Sequence, residues 1–258
     1  FLHLYSGQEA VAAGATAGLH RDDYILSAYR EHAQAIVRGA EPKKVMAELF
    51  GKATGLCKGK GGSMHLFDRS VGFLGGHGIV GGHVPIATGV GFAIKYRGGD
   101  QCIVCFMGEA AVNNGAFHES LNMAGLWKLP VVYVIENNRY GMGTAMNRAS
   151  SIAEMYKRGE TYAIHSEAVD GQDVFAVREA MTAAAIANAV HDALGVRREY
   201  RPALRRDRYP QPPEYDLFER GEDPRCLRLR RRDPLPLSPS GAETNPQPFW
   251  RATIRRTG

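Results

Sequence analysis

The 258-residue sequence is short of cysteine, holding four: Cys57, Cys102, Cys105 and Cys226. Their spacing gives no disulfide framework. Cys102 and Cys105 form a C-x-x-C, but both lie in the apolar run CIVCFM, where a strand sets alternate side chains on opposite faces. That argues against a redox pair and for core cysteines in a reducing cytosol. No run of about 18 or more apolar residues occurs, so no membrane-spanning helix is expected. There is no charged-then-apolar leader, and a start at Phe1 leaves room for an upstream segment. Proline is scarce before residue 191 and lysine is absent beyond it.

The net charge of +5 suggests nucleic acid until it is located. Residues 1–191 hold 17 basic and 17 acidic side chains; residues 192–258 hold 15 arginines and 10 acids. The whole excess therefore lies in the tail, which also carries ten of the 13 prolines. The tail shows little amphipathic periodicity and reads as disordered or out of frame. A basic RNA-binding arm would interleave glycine or aromatic stacking residues with its arginines, so no nucleic-acid partner is expected.

Residues 1–190 alternate strand and helix patterns. Helical spacing marks 7–19, 30–39, 41–52, 84–96, 114–126 and 172–190, with Pro42 suited to a first turn. CIVCFM (102–107) and VVYVIE (131–136) are apolar on both faces, as buried parallel strands are. Such alternation predicts an α/β fold with a parallel sheet, organised as one domain over 1–190 followed by the tail at 191–258.

Ligands of open parallel sheets bind beyond the carboxyl ends of the strands. Glu109 follows one predicted strand and Asn137-Asn138 the next, with one crossover between them. A carboxylate and an amide oxygen make a hard set suited to Mg²⁺ with a diphosphate. The glycines at 59, 61 and 62 and in GFLGGHGIVGGH (72–83) are expected to let backbone approach a ligand. An Asn pair after a strand is also a common turn, so spacing alone is moderately specific.

The blocks HLYSGQEA, AYREHA, GKGGSMH, GGHGIVGGHVP, NMAGLWKLP, ENNRYGMGT, YKRG and VDGQD occur in this order over 1–190. They resemble the thiamine diphosphate-dependent family of 2-oxo acid dehydrogenases, in particular the alpha subunit of the decarboxylating component of the pyruvate type. The resemblance implies a three-layer parallel-sheet thiamine diphosphate-binding fold. It implies oxidative decarboxylation of pyruvate with acetyl transfer to a lipoyl-bearing acyltransferase core. The partners implied are a beta subunit, in a two-alpha, two-beta unit, and a small 2-oxo acid. By the same resemblance Glu109, Asn138 and the Tyr140 carbonyl ligate Mg²⁺, and Tyr29 and Arg30 reach the diphosphate. Gly78 and Val80 present backbone to the aminopyrimidine, Ala110 and Ala111 flank the diphosphate, and His3 faces the reacting centre. His65, His77 and His83 are left as supporting or core groups. Location is expected in the cytoplasm, or in a mitochondrial matrix or plastid for a eukaryotic source.

The sequence departs from the resembled pattern in places. Glu109 stands for the commoner Asp, and Ala110 for a glycine, which predicts trouble if that backbone needs a positive φ. A downstream loop of the form R-x-H-S-x-S-D-P has no counterpart after residue 190, and Ala145 replaces a serine of the regulated animal enzymes. Acetoin and branched-chain 2-oxo acid dehydrogenases are the alternative members. An inactive remnant that only binds a beta subunit is the alternative outside catalysis.

Overall fold

The computed structural model describes the backbone of residues 2–194, with side chains through residue 185, and the strands Tyr215–Arg220, Leu227–Arg231 and Ile254–Arg255. Two compact units result: 1–196 together with 246–258, and 197–245. Within the second, the two strands Tyr215–Arg220 and Leu227–Arg231 pair antiparallel. The other tail expectations, and Cys226, lie outside the described residues.

In the first unit the strands are β1 (Tyr24–Ala28), β2 (Phe73–His77), β3 (Ile103–Gly108) and β4 (Val131–Asn137), with short strands at Val169–Asp170 and Ile254–Arg255. They form one sheet in the order β2, β1, β3, β4, Ile254–Arg255, Val169–Asp170, with every pairing parallel. The helices are α1 (Glu9–Ala17), α2 (His32–Arg38), α3 (Pro42–Leu49), α4 (Val84–Tyr96), α5 (Gly115–Trp127), α6 (Met146–Ala149), α7 (Lys157–Glu160) and α8 (Val174–Leu194).

The two buried strands explain the layers. On β3, Ile103, Cys105 and Met107 join one core with Val84 and Ala87 of α4 and Phe117, Leu121 and Ala124 of α5. Val104 and Phe106 join the other core with Val11, Ala35, Val45 and Val177, from α1, α2, α3 and α8. β4 alternates in the same way. Apolar residues on both faces are what a sheet covered on both sides requires, and each large side chain so buried contributes roughly 1.5–3 kcal/mol. The α/β, three-layer parallel-sheet expectation holds. Cys57 and Cys105 are free thiols, and no described helix is long and apolar enough to cross a membrane.

The expected helices are present with shifted ends. The first begins at Glu9 rather than residue 7, since Gly7 takes φ +83°. The last runs from Val174 through Leu194, capped at its start by the Asp173 carboxylate, which accepts from Phe175 and Ala176 N–H at 2.9 and 3.1 Å. Besides the short strands and the pair at Tyr215–Arg220 and Leu227–Arg231, the sequence reading lacks two strands of the main sheet. β1 is only five residues long, and β2, FLGGH, lies inside the run taken for a ligand loop. Its glycine at 76 serves packing: a β-carbon there would overlap the Glu31 carboxyl.

Candidate functional site

Strands β2, β1, β3 and β4 are neighbours, and their register aligns their ends. Ala28 pairs with His77, Leu26 with Cys105, and Gly108 with Glu136. The residues that follow therefore share one carboxyl edge: Tyr29-Arg30, Gly78, Glu109 and Asn138. The segment 3–5 joins them, because the Arg30 guanidinium donates to the Leu4 carbonyl and the His3 ring lies 4.3 Å from that of Tyr29.

Glu109 opens a 3₁₀ turn, Glu109–Asn113, directly after β3. Its side chain is buried, and burial pushes its carboxyl up; its own N–H and that of Asn138 pull the other way. Its Oε1 has no hydrogen-bond partner among the described residues. A buried carboxylate oxygen without a donor lacks a positive partner. Asn138 is half-buried, and its Oδ1 accepts the Tyr140 N–H at 3.1 Å, leaving the other lone pair of an amide oxygen. Tyr140 pairs with Ala145 in a two-residue antiparallel ladder, Tyr140–Gly141 against Thr144–Ala145. This oxygen-rich surround fits a hard divalent cation, and no cluster of three His, Cys, Asp or Glu side chains that could hold a metal exists among the described residues.

Ala110 does not need a left-handed backbone. Positive φ among non-glycine residues occurs at Lys58, Lys128, Arg139, Met142 and Ala163, not at 110. The expected strain is absent because residue 110 sits inside the 3₁₀ turn. What its methyl does is fill space beside Gly141, where an added β-carbon would come within 2.7 Å of it. Ala111 is buried in the core beneath the turn.

His3 is half-buried. Burial first, and then the Arg30 charge, hold its imidazole below the ordinary value, so the ring is neutral near pH 7. His32, whose Nε2 meets Ser63 Oγ at 3.0 Å, is lowered too, by burial and then by His3 and Arg30. Gly78 is flanked by the His65 ring, 3.1 Å from where a β-carbon would lie. Val80 is 46% exposed, and its carbonyl accepts from the Asn114 side chain at 3.2 Å. His77 and His83 stack at 5.9 Å; His83 is wholly buried, contacts the Phe106 carbonyl through Nε2 at 2.8 Å, and is pushed down to about 4 by burial.

The glycine run at 59–62 corrects the sequence reading. The N–H groups of Cys57 and Gly59 donate to one oxygen of Glu48, at 2.8 and 2.9 Å; those of Gly61 and Gly62 donate to the other, at 2.7 and 3.2 Å. The loop wraps an anion, as its composition implies, but the anion is the chain's own carboxylate on α3.

Four further buried groups escaped the sequence reading: Tyr5, Gln34, Glu31 and Glu136. Tyr5 donates to the Glu136 carboxylate, and the Gln34 amide reaches both, at 2.9 Å to Tyr5 and 3.3 Å to Glu136. Burial pushes the Glu136 carboxyl up. Glu31, beside Arg30, accepts the Leu66 N–H at 3.0 Å and is pushed up to about 7 by burial. Glu31 and Glu136 sit inside AYREHA and ENN, but a charged residue in a motif looks the same whether it faces ligand or core.

Fold and edge together define a parallel α/β protein with a polar cradle across the ends of four strands. The family described as "Dehydrogenase E1 component" matches residues 1–192, and this chain belongs to it. The chain is 52% identical over 173 residues to a pyruvate dehydrogenase E1 component subunit alpha from Rickettsia typhi, covering 67% of this chain and 53% of that protein. It is 49% identical over 180 residues to the subunit of that name from Rhizobium meliloti, covering 70% and 52%. It is also 49% identical over 181 residues to the mitochondrial one from Dictyostelium discoideum, covering 70% and 47%. The chain thus spans about half the length of these relatives.

Proposed function

We propose that this chain is the alpha part of a pyruvate dehydrogenase that uses thiamine diphosphate and Mg²⁺, completed by a beta subunit and serving a lipoyl-bearing acyltransferase. The unpartnered Oε1 of buried Glu109 at the strand edge carries this reading. Relatives of the same family at about half identity, named for pyruvate, support the substrate. A cytoplasmic setting follows for a bacterial source. The body at 1–190 would hold the cofactor; no role is assigned to 191–258.

Glu109, the Asn138 amide oxygen and the Tyr140 carbonyl would hold the Mg²⁺. Tyr29 and Arg30 would meet the diphosphate, Arg30 as a fixed cation. The backbone of Gly78 and Val80 would face the aminopyrimidine, with Ala110 and Ala111 beside the diphosphate. When bound, thiamine diphosphate would supply the electron sink that a 2-oxo acid needs in order to lose CO₂. The His3 ring, held neutral against Tyr29, can accept a proton on one nitrogen and donate from the other at the mouth of the site.

The test is calorimetric titration of thiamine diphosphate and Mg²⁺ into the full chain co-purified with a pyruvate-type beta subunit, followed by a decarboxylation assay. Saturable, Mg²⁺-dependent binding is expected. Absence of binding would sink the proposal.

A further inference from the structure

YKRG at 156–159 lies apart from the strand edge, yet one of its side chains reaches both segments that carry the proposed metal ligands. Arg158 is on α7. Its Nη2 donates to the Asn113 amide oxygen at 2.9 Å and to Ser150 Oγ at 3.0 Å. Its Nη1 reaches the Val112 carbonyl at 3.3 Å and His118 Nε2 at 3.4 Å. Val112 and Asn113 end the turn that Glu109 begins, and Ser150 follows α6, the helix that leaves the Tyr140–Ala145 ladder. Asn113 closes the ring by donating to the Ala149 carbonyl at 3.2 Å. Because Nε2 of His118 accepts from Arg158, its Nδ1 carries the proton and donates to the Tyr162 hydroxyl at 2.7 Å.

None of these four acceptors is a carboxylate. The guanidinium is therefore used here for its shape: a rigid planar fork whose donors point in fixed directions. One arm spans the two ligand-bearing segments, and the other anchors the turn to α5. We propose that Arg158 is a positioning residue for the metal site. It sets the separation of the Glu109 turn from the Asn138–Tyr140 segment by fastening the far ends of both. Mg²⁺ demands near-octahedral geometry at short range, so slack between those segments costs affinity directly. The inference rests on the metal reading given above.

The test uses the full chain co-purified with its beta subunit. Mn²⁺, visible by electron paramagnetic resonance, is titrated in the presence of thiamine diphosphate. Amide hydrogen exchange is followed separately with neither ligand. Arg158→Lys keeps the charge and loses the fork; it is expected to lower Mn²⁺ affinity about tenfold and to speed exchange across 109–114 and 138–150. Asn113→Ala cuts only the bridge between the segments, and a loss of roughly two- to fivefold is expected; it carries the test if the lysine variant does not fold. His118→Ala removes the anchor to α5 and should lower the melting temperature without moving Mn²⁺ affinity.

Unchanged exchange in both segments for Arg158→Lys and Asn113→Ala would overturn the inference, as would an equal loss of affinity in His118→Ala. If the exchange changes appear but even the unaltered protein takes up no Mn²⁺, the metal reading falls and the positioning role falls with it.

Discussion

At the scale of single residues, two buried carboxyls each keep one oxygen without a donor among the described residues, Glu109 Oε1 and Glu31 Oε2. They differ in place: Glu109 stands at the strand edge, while Glu31 packs against Gly76 of β2. Glu109→Gln is expected to weaken Mg²⁺-dependent thiamine diphosphate binding at least tenfold. The unloaded variant should melt no lower than the parent, because the amide strands no ionised oxygen. Calorimetry and thermal melts on one preparation check both; a fall in melting point with unchanged affinity would make Glu109 structural. Glu31 is a stability group. Its carboxyl is pushed up to about 7 by burial, from an ordinary 4.5. A carboxyl raised on folding contributes stability that is complete below the ordinary value and lost as pH rises through the folded one. Glu31→Gln, which can keep the Leu66 N–H bond, should therefore match the parent at pH 4 and exceed it by roughly 1–3 kcal/mol at pH 8 in urea melts. A constant difference across that range would show that the proton plays no part.

At the scale of elements, the α3 carboxylate and the glycine loop form one unit. Burial pushes Glu48 up, but the N–H groups of Gly59, Cys57, Gly61 and Gly62 together hold it below the usual carboxylate range. The sign is the reverse of Glu31: this stability is present above the ordinary carboxylate value and disappears as pH falls through the depressed one. Glu48→Gln turns two donors towards an NH₂ group and should cost about 2 kcal/mol at pH 7, shrinking towards pH 3, by denaturant titration. This unit also shows where sequence reading stops. Glycine density announced a backbone wrapped round an anion; nothing in GKGG could say that the anion was Glu48, several residues upstream. Buried strands β3 and β4 were legible because both their faces are apolar, and the Glu109 and Asn138 positions followed from them. β2 was not, since its glycines carry no period and make sense only against the Phe67 ring and the Glu31 carboxyl. The tie from Tyr5 to Glu136 likewise depends on packing that no local pattern encodes.

At the scale of the whole molecule, the proposed ligand should act as a staple across strands that the chain joins late. With thiamine diphosphate and Mg²⁺ at a hundredfold over their dissociation constants, stability should rise by about 2.7 kcal/mol. Chelation of the metal should return the melting temperature to that of the unloaded protein. A loaded melting temperature indifferent to chelator would show that the cation is not part of the cradle. The body, with equal numbers of acids and bases over 1–191, has no net charge to gather a diphosphate, so under the proposed function capture would depend on the local Arg30 charge and the metal.

The bond from Tyr5 to Glu136 spans 131 positions, and it has a consequence in time. A chain made from its N-terminus exposes Tyr5 early, yet the carboxylate that receives its hydroxyl is not synthesised until more than a hundred residues later. Through that interval the segment bearing His3 has its ties to Tyr29, Arg30 and Gln34 but not the one to β4. The proposed cradle can thus close only after β4 has left the ribosome, and a nascent chain shorter than that should be blind to the cofactor.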